Sequence, residues 1–188
     1  MRESSIRERG GVAHWLVVLG LLLVAACGVA EPASDPVDAD DVMFVQMMVQ
    51  HHRQGIELAR LGAARARTPE LKTLAAAVET TQQAEVEMML RWLHAWDQPL
   101  TAASGSHDDH GGLPETDRQR IAALRSSRSS KRFERDFLHL MIAHQGVAAR
   151  MAGEHLTAGV NPEVRRWAGQ VEASRTEQVR LMRALLPA

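Results

Sequence analysis

The stretch MVQHHRQGIELAR, residues 48–60, places two adjacent imidazoles, His51 and His52, close behind three thioethers, Met43, Met47 and Met48. Residues three, four and seven apart share one face of a helix. On that spacing Phe44, Met48, His51, Gly55 and Leu58 form one stripe, and Phe137, Met141, His144, Ala148, Met151 and His155 form another. Mostly apolar stripes face a core, so His51 and His144 are expected to point inward beside methionine sulfur. His52 falls one step round the helix, in line with Met48 and Ile56, while Gln82, Glu85, Met89 and Met182 are supplied by other segments. Imidazole with thioether suits Cu(I), and imidazole with carboxylate suits Zn, Cu(II) or iron. Methionine needs no deprotonation to bind, so such a site works in an oxidising compartment. The same residues also fit a core without metal. Methionine fills gaps in helical interiors, and a buried histidine is satisfied by a carbonyl or by a carboxylate such as Glu85. On the residues alone both readings stand. A second group, His107, Asp108, Asp109 and His110, lies in the loop SGSHDDHGG, residues 104–112. Short tracts of this kind bind metals weakly, and a solvated linker is the expectation there.

The elements that must position these side chains repeat. Residues 44–90 align with residues 137–183 at a constant offset of 93 without a gap. Phe44 matches Phe137, Met48 matches Met141, His51 matches His144, and Pro69-Glu70 matches Pro162-Glu163. Such a match marks a duplication. Each half reads as two helices, the first from about Ala39 to Ala66. In RTPEL, residues 67–71, Thr68 suits an N-cap, Pro69 the first helical position, and Glu70 the positive helix end. VNPEV, residues 160–164, repeats that grammar with Asn161 and Pro162. The expected fold is all-α, an antiparallel four-helix bundle made from a duplicated helical hairpin. It occupies residues 39–187, with a Gly/Ser/His-rich loop at 97–114 and a short helix from about Glu115 to Ser126.

The chain has 188 residues, enough for one domain with a proper core. A formal net charge of −1 gives no electrostatic footprint for nucleic acid. The one cysteine, Cys27, excludes an intrachain disulfide. No nucleophile constellation and no Gly-rich phosphate loop occur, which weighs against an enzyme. Di-iron bundles use a Glu-x-x-His pair on two helices; this sequence has none, so a di-iron oxidoreductase is the weakest alternative.

The N-terminus reads as an address. Arg2, Arg7 and Arg9 precede the apolar run VAHWLVVLGLLLVAA, residues 12–26, which is short for a membrane span and fits a secretory signal. LVAAC, residues 23–27, resembles a bacterial lipobox. That resemblance implies cleavage before Cys27 and lipid attached to it, giving a lipoprotein signal at 1–26 and a flexible tether at 27–38. The expected location is the extracytoplasmic face of the cell membrane, or secretion if Cys27 carries no lipid.

The paired motifs resemble the bacterial DUF305 family over about residues 39–186. The family pattern, twice per chain, is roughly Met-Ile-x-His-His-x-x-Ala-x-x-Met-Ala followed by Gln-x-x-Glu-Ile-x-x-Met. The first copy here reads MVQHHRQGIELA and then QQAEVEMM, with Leu58 in place of the later methionine. The second reads MIAHQGVAARMA and then SRTEQVRLM, so Gln145, Arg175 and Gln178 stand where His, Gln and Glu belong. The resemblance implies a ferritin-like bundle, export, and an association with copper binding and tolerance. Its candidate ligands are Met48, His51, His52, Gln82 and Glu85 from the first half and Met141, His144 and Met151 from the second. The resulting expectation is a membrane-anchored protein that binds copper, or another transition metal, through Met and His inside the bundle. The site is expected at His51, His52, His144, Met48, Met141, Met151 and Glu85. The alternative is a structural or interaction bundle whose ligands have degenerated, since a buried cation at Arg175 disfavours a metal beside it.

Overall fold

The computed structural model describes residues 35–101 and 118–186. The apolar run, Cys27 and the His107–His110 loop lie outside the described residues. The described chain is helical, with no strand: α1 (Ala39–Arg65), α2 (Pro69–Ala95), α3 (Arg118–Ser126), α4 (Ser130–Ala158) and α5 (Pro162–Ala184). No helix among the described residues is long and apolar enough to cross a membrane.

The helix starts follow from local chemistry. Asp38 caps α1 by accepting from the Asp41 N–H at 2.9 Å, and Asp41 reaches back to the Asp38 N–H, a reciprocal pair that satisfies two otherwise orphaned donors. Ser129 caps α4. Asn161 caps α5, accepting from the N–H groups of Glu163 and Val164 at 3.0 Å each, with Pro162 behind it. Thr68 is the N-cap of α2 as expected. Its hydroxyl makes no cap bond within α2 and donates instead to Glu134 of α4, which also accepts from the Arg67 and Thr68 N–H groups. The free helix end is satisfied from a neighbouring helix.

The offset of 93 read from the sequence is kept in space. α1 and α2 form one hairpin, α4 and α5 the other, and the two meet along α1 and α4. Two apolar clusters fill the interior. One gathers Phe44, Met48 and Val49 of α1, Met89 and Leu93 of α2, Ala148 and Met151 of α4, and Trp167 and Val171 of α5. The other gathers Leu58 and Ala59 of α1, Leu71 and Val78 of α2, Phe133, Phe137 and Met141 of α4, and Met182 of α5. The start of α1 thus shares a cluster with the ends of α2 and α4, so these neighbours run in opposite senses. Gly62 permits the tightest approach: a Cβ there would lie 2.4 Å from the Phe137 ring. α3 packs on α4 and is tied down by Arg65, whose guanidinium donates to the carbonyls of Leu124 and Arg125 at 2.9 and 2.6 Å and sits 4.4 Å over the Phe133 ring.

Candidate metal centre

Between the two apolar clusters runs a belt of polar side chains. α1 contributes His51 and His52, α2 Gln82 and Glu85, α4 His144 and Gln145, and α5 Arg175 and Gln178. All but Glu85 and Gln178 are buried. His51 and His144, equivalent positions of the repeat, stack on one another with ring centroids 3.8 Å apart and planes 16° from parallel. The local twofold relation between the halves therefore passes between these two rings.

On either side the same contacts recur with different chemistry. His52 Nε2 lies 2.7 Å from Glu85 Oε2; at the equivalent place the Gln145 amide donates to Gln178. Arg175 donates to Glu85 and lies 3.5 Å from His52 Nε2; at the equivalent place Gln82 donates to Gln145 Oε1 at 3.1 Å. One half of the belt is ionic and the other is a chain of neutral amides. The three departures from the family pattern thus all fall within this one set of contacts. Arg175 crosses into the first half and neutralises Glu85, and Gln145 with Gln178 replace a second His–Glu pair that would lack a cation. A buried guanidinium without such a partner would cost several kcal/mol.

The charges settle accordingly. Burial alone would raise the Glu85 carboxyl, but the His52 hydrogen bond and the Arg175 charge outweigh it and hold Glu85 below its ordinary value. Burial lowers His52, opposed by its bond to Glu85. Burial, followed by the neighbouring His52 and Arg175, lowers His144 to about 3. Burial and then His144, His52 and Arg175 push His51 well down. At neutral pH His51 and His144 are therefore uncharged, with imidazole lone pairs free of proton competition.

The predicted ligands are distributed over the belt and the two apolar clusters beside it. His51 and His144 are in contact. Met48 and Met151, fully buried and 8% exposed, share one apolar cluster, one and two turns from the histidine stack along α1 and α4. Met141 lies in the other cluster, where Leu58 occupies the position equivalent to Met151. The two sides of the belt are thus unequal in sulfur. His52 and Glu85 are held by each other and by Arg175. Among the described residues no three His, Cys, Asp or Glu side chains converge as a metal cage.

One group has no such engagement. His51 is 1% exposed and neither of its ring nitrogens has a hydrogen-bond partner. A buried polar atom left so costs about 1–3 kcal/mol, and a bound ion or an ordered water is what satisfies such a group in native interiors. The backbone makes room for this arrangement at Gly55, one turn beyond His51. A Cβ at that position would lie 2.2 Å from Gln82 Oε1 and 2.5 Å from His144 Nε2.

The sequence reading missed Asp41. It is fully buried, accepts from the Asn161 N–H at 3.0 Å and lies 3.1 Å from His155 Nε2. The offset held the signal, since Asp41 is equivalent to Glu134 and Asn161 to Thr68. Each carboxylate serves the start of the second helix in the opposite half.

Comparison with known proteins agrees with this architecture. The family model described as Domain of unknown function (DUF305) matches residues 41–186. A DUF305 fragment from Deinococcus radiodurans is 29% identical, with a TM-score of 0.70, covering 80% of this chain and 97% of that one. A DUF305 protein from Streptomyces coelicolor is 24% identical at a TM-score of 0.72, covering 78% and 91%, and shares the fold. CopM in its Cu(I)-bound form is 26% identical at a TM-score of 0.63, covering 77% and 94%; CopM is also known in Cu(II)-bound, Ag-bound and apo forms. No curated protein sequence matches the chain.

Proposed function

Because the chain belongs to the DUF305 family, we propose that it is an exported metal-handling bundle that takes up copper as Cu(I) between its helices, in metal buffering or tolerance. The observation that carries this reading is His51, a buried and uncharged imidazole with both nitrogens unpartnered at the centre of the belt. Neutral imidazole and thioether are the donors that suit Cu(I). The side chains that fit are His51 and His144 from the stack and Met48 and Met151 from the adjoining apolar cluster. The Cu- and Ag-bound states of CopM support the choice of ion. A bound ion would supply positive charge to a pair of imidazoles that cannot acquire it by protonation near neutral pH. His52 and Glu85 serve a different purpose, orienting Arg175 and keeping the belt neutral. Export rests on the N-terminal address, with lipid on Cys27 as the anchor.

An anaerobic Cu(I) titration against a competing chelator tests the reading. The parent is expected to hold Cu(I) tightly and the His51→Leu/His144→Leu variant to lose the equivalent bound between the helices. Equal binding by both would overturn it. One observation favours the second reading, a bundle without metal: the ionic half of the belt is already complete through Glu85 and Arg175. A melting temperature indifferent to Cu(I) and to chelators would point that way.

A further inference from the structure

A cavity of ≈ 380 Å³ lies where α1 begins and α4 ends, away from the belt. Met43 and Met47, one turn apart on α1, and Met151 of α4 line it together with Phe44 and His155. Met43 and Met47 are only partly buried. Met47 also packs against the interior cluster, and both side chains bring a flexible, polarisable thioether to the cavity wall. Met151 belongs to both places, since it also packs in the interior cluster with Met48.

The cavity's inner wall is held firmly. His155 is 4% exposed and stacks on Phe44 with centroids 4.0 Å apart and planes 4° from parallel. Its Nε2 is set by Asp41, which is itself bound to the start of α5. Gly159 leaves the space for that contact, because a Cβ there would lie 2.3 Å from the His155 ring. Asp40 and Glu154, both exposed, line the same cavity and bring negative charge to it. Three uncharged thioethers at a mouth of negative sign select for a soft cation. Hard divalent ions want an oxygen cage, which these residues do not build.

We infer that this cavity is a second, outer binding site for a soft monovalent cation, Cu(I) or Ag(I), held by Met43, Met47 and Met151. Met151 would then stand between the outer site and the interior one. The inference deepens the reading of the bundle as a Cu(I) handler and depends on it.

The test is titration of the full chain with Ag(I), followed through the methionine methyl resonances. Met43, Met47 and Met151 are expected to shift together, and the Met43→Leu/Met47→Leu variant to bind one equivalent fewer. Leucine for methionine conserves volume, and an unchanged melting temperature verifies that the variant folds. Shifts at Met48 with Met43 and Met47 unmoved would overturn the outer site and leave the interior reading standing. No shift at any methionine would overturn both.

Discussion

At the scale of single residues, the polar belt explains why particular side chains are where they are. Gly55 is there because His144 and Gln82 occupy the space a Cβ would take. Gly55→Ala is expected to cost about 1–3 kcal/mol through overpacking, measured by denaturant unfolding. Arg175 and Glu85 depend on one another. Arg175→Gln alone strands Glu85 and is expected to cost about 3–5 kcal/mol. Adding Glu85→Gln should recover much of that loss, because it converts the ionic half into the amide chemistry already present at Gln82, Gln145 and Gln178. A double-mutant cycle that proves additive would contradict the pairing. The histidines predict an acid response. Unfolded His144 takes a proton near its ordinary value of 6.5, and the folded form resists until about 3. Acidification through that window therefore favours the unfolded chain by about 1.4 kcal/mol per pH unit for each such group. His51 acts in the same direction. Glu85, depressed in the fold, adds a loss at lower pH, as it is protonated. Urea unfolding of the metal-free protein between about pH 7 and about pH 5 should show the slope, and His144→Gln should flatten it. A flat parent profile would contradict the burial of these rings.

At the scale of elements, most of the fold was legible and the reason is periodic. Apolar residues at helical spacing marked α1 and α4, and Pro69 and Pro162 marked the first residues of α2 and α5. Thr68 is the N-cap of α2 as expected, but its side chain bonds outside α2, because its partner lies 66 residues away on α4. Local grammar cannot register a cap that arrives from another helix. The two long-range caps, Asp41 to Asn161 and Glu134 to Thr68, fasten the hairpins to each other. Asp41→Ala is expected to cost more than Glu134→Ala. Asp41 is fully buried, and its loss also frees His155, whereas Glu134 is only partly buried. About 1–3 kcal/mol is the expected range for the buried site; equal effects would show that burial at Asp41 adds nothing.

At the scale of the whole molecule, the duplication is the organising fact. Two copies of one hairpin share a local twofold at the His51–His144 stack, and divergence has made one side ionic and rich in thioether. The inward histidines were legible from stripe spacing. Their meeting face to face was not, since it depends on how two hairpins cross. Nor was the separation of Met141 from Met48 and Met151, which follows from α1 and α4 running in opposite senses past the belt. The expected anchor has its own test: a labelled fatty acid should be incorporated into the full-length protein and lost in Cys27→Ser, and incorporation by neither would remove the lipid. The central claim is that Cu(I) sits inside the bundle on imidazole and thioether together. X-ray absorption of the Met43→Leu/Met47→Leu variant carrying one equivalent of Cu(I) tests it most directly, because the outer cavity is then disabled. Nitrogen and sulfur scatterers together around one copper are the predicted result; copper with nitrogen or oxygen alone would contradict it.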